Sequence, residues 1–393
     1  MIFIRINNMK EVLQMGILDL FSKDKRKDGE EALEREKVAE KEKAIEEVKK
    51  AHENLRWPVV SRINKVNIKD AECELLEDTV SFERKNEVGM LIYEEDIDTN
   101  VIKELTSQEL LFLLTTLEAY HKESPLPEYE KNHRKVYNEV LDRIRNAETL
   151  FVLYDAGTRY PFIDAGFVNV YFEKELASKA AALYMKQYRK IVVNEVKNIS
   201  DASSGKGFFD YLYYIGIENL IIDNGAYKAR FKRNEIVMAV GDWKGNSGNE
   251  IVNPALNFTM LDFISELSWP VNYEQKPEVI KAKEARMVDC IKKGSFIVPM
   301  QHEGDVEVLE DGRMKPCKDT KFKFPVIKTK EGKEYLPIFT DGLEFSKKLS
   351  GSGWNAAVFK YADVIKFAKD KDGIRINPDG QGIVIPKERM EAI

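Results

Sequence analysis

Cysteine is scarce in this chain and unpatterned. Its 393 residues hold three, Cys73, Cys290 and Cys317, far apart and without CxxC spacing. Neither a disulfide framework nor a zinc knuckle is suggested, and reduced thiols in a cytoplasmic setting fit best. Histidine is hardly commoner. His52, His121, His133 and His302 never fall at i,i+4, so the HExxH helix of a zinc protease is missing. No GxSxG elbow occurs, and no cysteine has neighbours that mark an activated nucleophile. Nowhere do about 18 apolar residues run together, so no segment is expected to span a bilayer. A basic excess is missing as well: 61 Lys and Arg stand against 67 Asp and Glu, a net charge of −6. With no basic face in view, nucleic-acid binding is disfavoured.

What is there suits a globular protein. Hydrophobic residues make up 43% and charged ones 33%, enough apolar surface for two or three cores. Met1-Ile2-Phe3-Ile4 is interrupted at once by Arg5, Asn7 and Asn8, so no signal peptide is expected. Met15 reads as an alternative start, and Ile17 to Phe21 as a local packing stretch or a weak membrane-surface contact. Leu20 stands where myristoylation needs Ser or Thr. Lys23 to Glu53 is a mixed-sign run with opposite charges at i,i+4, such as Glu31–Arg35 and Glu46–Lys50. It reads as a solvated helix, and residues 1–57 as a charged helical tether.

Residues 58–148 are expected to begin with strand-like pieces at Val59–Ile68, Thr79–Arg84 and Met90–Tyr93. A capping signal, Thr106-Ser107-Gln108-Glu109, then opens a buried helix, and Tyr129–Ile144 is amphipathic.

Beyond this the order of elements repeats. In residues 149–236, strands at Leu150–Tyr154 and Phe167–Phe172 precede a helix at Glu173–Tyr188 and a strand at Lys190–Val196. A short helix, Phe208–Ile215, and a hairpin about Asp223-Asn224-Gly225 complete the copy. In residues 295–393, strands at Ser295–Pro299 and Tyr335–Asp341 precede a helix at Leu343–Leu349. A strand at Trp354–Tyr361, a helix at Ala362–Lys369, a hairpin about Asn377–Gly380 and a closing helix follow. Residues 237–294 read as a helical bridge. The expected fold is α/β (α+β), with two tandem modules whose mixed sheets are packed by helices.

The second copy carries a specific resemblance. Leu336-Pro337-Ile338-Phe339-Thr340-Asp341, Phe345, Gly351-Ser352-Gly353-Trp354, Gly373–Pro378 and Ile385-Pro386 resemble the SseB N-terminal domain over about residues 295–393. That domain has a proline-led strand ending in Phe-Thr and a later Ile-Asn-Pro segment. The first copy departs from it, with Phe172-Glu173 where Phe339-Thr340 stands and Asp223-Asn224 for Asn377-Pro378. The resemblance implies a bacterial, cytoplasmic protein and no defined reaction.

Candidate chemistry is thin. Ser204-Gly205-Lys206-Gly207 lacks the earlier glycine and following hydroxyl of a Walker loop and reads as a linker. Gly351-Ser352-Gly353 reads as a helix-stop turn or a ligand-facing loop, with Trp354 as core or groove lining. Thr340 and Asp341, at a strand end, read as a helix cap or as ligand contacts. These six residues are the candidate ligand-binding set; no catalytic residue, metal ligand or cofactor is assigned. The expected function is non-enzymatic binding or scaffolding with a protein or small-molecule partner. The alternative is a metabolite sensor or enzyme of amino-acid metabolism with a pocket between the modules.

Overall fold

The computed structural model describes residues 35–63, 76–198, 207–237, 251–308, 314–317 and 319–393. Both candidate starts, the Ile17 to Phe21 stretch and Ser204-Gly205-Lys206 lie outside them. The fold is α+β. Two compact units divide it: one holds the described residues up to Pro58 with Phe82–Leu105 and Phe112–Val136, the other Val59–Ser81, Thr106–Leu111 and Tyr137–Ile393.

The first unit is helical. Helix α1 covers residues 35–51 and is largely exposed, as its charge run implies. Next come α2 (Phe82–Met90), a 3-10 turn at Leu91–Tyr93 and α3 (Thr99–Glu104). Helix α2 and that turn stand where short strands are expected, and residues 59–63 are irregular. The reason is spacing. The buried residues of α2 are Lys85, Val88 and Gly89, an i,i+3,i+4 face rather than an alternating one. Gly89 is required by close approach, since a Cβ there would lie 2.7 Å from the Trp57 ring. Helices α4 (Ser107–Glu123) and α5 (Tyr129–Asn146) follow, the first turn of α4 and the second half of α5 counting with the other unit. The capping signal forms as expected: Thr106 N donates to Glu109 Oε2 at 2.8 Å and Glu109 N to Thr106 Oγ1 at 3.2 Å.

The second unit carries the sheets. Its first run is β1 (Thr149–Asp155), β2 (Ile163–Asp164), β3 (Phe167–Tyr171), α6 (Lys174–Lys186) and β4 (Ile191–Lys197). It continues through α7 (Phe208–Tyr214), β5 (Asn219–Ile222), β6 (Ala229–Lys232) and α8 (Arg233–Ile236). The strand order is β4-β1-β3-β5-β6, with β2 hairpinned on β3. Only β3 and β5 run parallel; the other pairs are antiparallel.

Helices α9 (Pro254–Ser268) and α10 (Lys276–Lys293) lead to the second run. It comprises β7 (Ser295–Glu303), β8 (Val306–Val308), β9 (Met314–Pro316), β10 (Lys321–Lys323), β11 (Ile327–Lys328) and β12 (Glu334–Ile338). Then come α11 (Gly342–Leu349), β13 (Asn355–Lys360), α12 (Tyr361–Phe367), β14 (Gly373–Ile376), β15 (Ile383–Pro386) and α13 (Lys387–Met390). Strands order as β10-β7-β13 and β11-β12-β14-β15. Reciprocal N–H···O bonds between Ile297 and Phe339, 2.8 and 2.9 Å, join β7 to β12. Here too the one parallel pair is the central one, β12 with β14. The β8–β9 hairpin is an element that the sequence reading did not foresee.

The two helices expected as a bridge share the second core. Leu256 and Met260 of α9 and Met287 and Ile291 of α10 lie in one buried cluster with Phe296, Leu336, Ile338 and Ile374. At about 1.5–3 kcal/mol per fully buried large aliphatic side chain, these four side chains tie both helices to the sheet they precede.

Candidate functional site

The carboxyl ends of parallel strands are where an open α/β sheet presents ligand contacts. At the end of β12 the chain runs Phe339-Thr340-Asp341 into α11, and at the end of β14 it turns at Asn377. Asn377 takes the left-handed backbone (φ 46°), which asparagine tolerates better than most residues. Its amide N donates to Ile338 O at 2.9 Å, and its side-chain Oδ1 accepts from Thr340 N at 3.0 Å. The two parallel strands are thereby latched just beyond their last ladder bond.

A buried polar knot grows from this latch. Asn377 Nδ2 donates to Thr340 Oγ1 at 2.9 Å and to Gln381 Oε1 at 2.8 Å. The Thr340 hydroxyl lies 2.9 Å from Asn257 Oδ1 and 2.7 Å from Asp341 Oδ2. Asn257, on α9, donates from Nδ2 to Asp341 Oδ2 at 3.0 Å and to Tyr214 O at 2.7 Å. Asp341 is also the N-cap of α11, its Oδ1 accepting from Glu344 N at 3.0 Å. Asn253 Nδ2 reaches Ser295 O and Thr340 O. Thr340 and Asn377 are 0% exposed and Asp341 and Asn257 1%. Groups this buried must be paired, and here they pair with one another.

Beside the knot a second group faces α11. Tyr160, from the turn after β1, donates its hydroxyl to Glu344 Oε1 at 2.8 Å and lies 3.4 Å from Gln381 Oε1. Lys347 Nζ donates to the same Glu344 oxygen at 2.5 Å and lies 4.9 Å from the Tyr160 ring centroid. Burial, then the neighbouring Glu344 carboxylate, pushes the Tyr160 phenol far above its ordinary range, so it stays a hydrogen-bond donor. Glu344 Oε2 is buried without a hydrogen-bond partner. Gly380 is packed against it, since a Cβ there would lie 2.3 Å from that oxygen and 2.5 Å from the Tyr160 hydroxyl.

The corresponding corner of the first sheet uses a carboxyl. Asp223, at φ 49°, donates its amide to Val170 O at 2.9 Å. Its Oδ1 accepts from Phe172 N at 3.0 Å and its Oδ2 from Gln108 Nε2 at 2.7 Å. Burial pushes this carboxyl up to about 7, against the two hydrogen bonds that favour the charged form. Nearby, Asp164 is likewise held up by burial and accepts from the Tyr184 hydroxyl at 2.6 Å.

The six expected site residues therefore separate. Thr340 and Asp341 sit in the knot. Gly351, Ser352 and Gly353 form an exposed turn after α11, with Gly351 and Gly353 at φ 69° and 75°. The turn closes through Ser352 N donating to Leu349 O at 3.1 Å. Half-buried Trp354 starts toward β13, and Gln301 Nε2 donates to Gly353 O at 3.0 Å. Sequence reasoning passed over Asn257, Asn377, Gln381, Tyr160 and Glu344. Only Asn377 left a signal, as the asparagine of a Gly-bearing hairpin turn. Among the described residues, no group of three or more His, Cys, Asp or Glu is placed to hold a metal ion, and no helix is long and apolar enough to cross a membrane.

Residues 276–392 match the family model of the SseB protein N-terminal domain, beginning at the first residue of α10. No curated protein and no solved structure matches the chain.

Proposed function

With an SseB N-terminal domain at residues 276–392 as the premise, we propose that the chain is a non-enzymatic binding or scaffold protein built on two modules of that type. Strand order supports the pairing: β4-β1-β3-β5-β6 corresponds to β13-β7-β12-β14-β15, each with one central parallel pair. The latch supports it residue by residue. Phe172 N on Asp223 Oδ1 corresponds to Thr340 N on Asn377 Oδ1, each at 3.0 Å. On that bond Phe172 aligns with Thr340 and Tyr171 with Phe339, one residue away from the alignment expected from sequence. On this reading the second module also includes the helix pair before its sheet, α9–α10.

The observation that carries the scaffold reading is the knot itself. The polar side chains at the carboxyl ends of β12 and β14 are bonded to one another, to the cap of α11 and to Tyr214 O of the first module. Groups used in this way fix one module against the next. Affinity capture with the full chain, followed by reconstitution of the captured protein with purified chain, tests the proposal. A stoichiometric complex is expected. A metabolite that raises the melting temperature, with no reconstituted complex, overturns it.

One observation favours the sensor reading. A cleft of about 90 Å³ between the modules is lined by Asp155, Gly157, Tyr188, Arg189, Ser265 and Trp269. Ligand pockets usually span about 300–1,000 Å³, so this cleft suits only a ligand of a few atoms. The same metabolite panel discriminates.

A further inference from the structure

Resting on the two-module reading and deepening it, we propose that each module has a docking face for a short chain segment, and that this chain fills both faces in cis. The face consists of the turn after the second parallel strand and the helix after the first.

In the first module the face is the 223–227 turn with α6, and its occupants are residues 59–63 and 76–81. Ser61 N donates to Ala226 O at 3.0 Å, its hydroxyl donates to the same oxygen at 2.8 Å, and Gly225 N donates to Ser61 Oγ at 3.3 Å. Ile63 and Leu76 are buried in one cluster with Leu176, Ala177 and Ala180 of α6. The Tyr227 hydroxyl donates to Asp78 Oδ2 at 2.8 Å. Gly225, at φ +104°, lets Leu76 approach, since a Cβ there would lie 2.9 Å from Leu76 Cδ1.

In the second module the face is the 377–381 turn with α11, and its occupant is the first module's turn at Tyr160. Aligned on the Asp223–Asn377 pair, Gly380 stands with Ala226, Gln381 with Tyr227, and Glu344 with Leu176. Tyr160 bonds Glu344 and approaches Gln381 and Gly380. Two stretches with unlike sequences, each preceding its module in the chain, reach the same face. What recurs is the face, not the ligand.

The chemistry defines what such a face takes. It is a short irregular segment with a hydroxyl side chain at the turn; the first face adds places for two aliphatic side chains against α6. Residues 59–63 and 76–81 are thus an intramolecular ligand, and releasing them opens a peptide site.

The test uses a labelled peptide of residues 58–81 titrated into the full chain and into the full-chain variant Ile63→Asp/Leu76→Asp, with fluorescence anisotropy as the readout. Saturable binding at least tenfold tighter to the variant is expected, and a peptide carrying the same two substitutions should not bind. No saturable binding to a folded variant, or equal binding by the substituted peptide, overturns the proposal. Should the double variant fail to fold, Ser61→Pro removes all three bonds of Ser61 to the turn, the N–H and hydroxyl donated to Ala226 O and the oxygen that accepts from Gly225 N. Amide exchange in residues 59–63 and 225–227 should then rise at least tenfold, and unchanged exchange overturns the proposal. The scaffold reading is judged by the reconstituted complex, so either idea can fail without the other.

Discussion

Asp223 and Asn377 perform the same backbone task with different chemistry, and the difference makes the first measurable. Burial holds the Asp223 carboxyl up at about 7, above the ordinary carboxylate value of about 4. Between those values the folded chain keeps a proton that the unfolded chain has released. Stability therefore falls as pH rises from about 4 to about 7 and levels off beyond. Asp223→Asn should remove that slope in urea midpoints collected across this range. It should also cost stability at the acid end, because an amide N–H would face Gln108 Nε2. Parallel curves for the two proteins would refute this account of the carboxyl. In the knot, Thr340→Val removes the hydroxyl that accepts from Asn377 Nδ2 and lies against Asn257 Oδ1 and Asp341 Oδ2. Asn377 and Asn257 keep their bond to each other, and Asn377 its bond to Gln381. A loss of about 0.5–1.5 kcal/mol is expected for the hydrogen bonding removed. Thr340→Ser should recover most of it, and a Val variant as stable as the parent would show that the hydroxyl is idle.

At the scale of elements, the legible features were those whose signal is local. Short apolar runs gave β1 and β3, the Asp223-Asn224-Gly225 turn gave the β5–β6 hairpin, and Thr106 with Glu109 gave the start of α4. Helix α2 was misread because a nine-residue piece with only Lys85, Val88 and Gly89 buried barely separates a period of 3.6 from a period of 2. The knot was illegible because its partners lie far apart in sequence, as with Asn257 and Asn377, 120 residues apart. Thr340 and Asp341 were flagged by their place at a strand end, which cannot tell a cap from a contact. Helix α1 supplies a prediction of its own. His52 is buried where α1 ends, its Nδ1 3.1 Å from the Tyr93 hydroxyl, its ring edge-on to Tyr120 and its Nε2 without a partner. Burial lowers its pKa, so the folded state prefers the neutral ring. That contribution is complete above about pH 6.5 and declines as pH falls below it. Acidification should therefore loosen α1, measured as faster amide exchange over residues 45–52. His52→Gln should abolish the pH dependence, and identical exchange profiles would refute it.

For the molecule as a whole, the decisive element is α9, because it packs into the second core and hydrogen-bonds to elements around the first sheet. Leu256 and Met260 enter the second core, while Asn257 donates to Tyr214 O at the end of α7. Near the end of α9, Arg189 donates to Ser265 O at 3.0 Å and its guanidinium lies 3.8 Å from the Trp269 ring centroid. Trp269 Nε1 donates to Gln187 O at 2.8 Å. Each neutral hydrogen bond contributes about 0.5–1.5 kcal/mol net, and a desolvated cation–π contact about 2 kcal/mol. Together with the Tyr160–Glu344 bond, that is enough coupling for the two sheet regions to unfold as one. Calorimetry of the parent should give one cooperative transition across both sheets. Arg189→Ala combined with Tyr160→Ala removes the cation, its bond to Ser265 and the donor to Glu344. The single transition should split in two, with the first sheet melting earlier, since it loses the cover of α9 while the second keeps Leu256 and Met260. A single transition that merely shifts down in temperature would mean that the two sheets are coupled elsewhere, and α9 would lose its place as the joint between them.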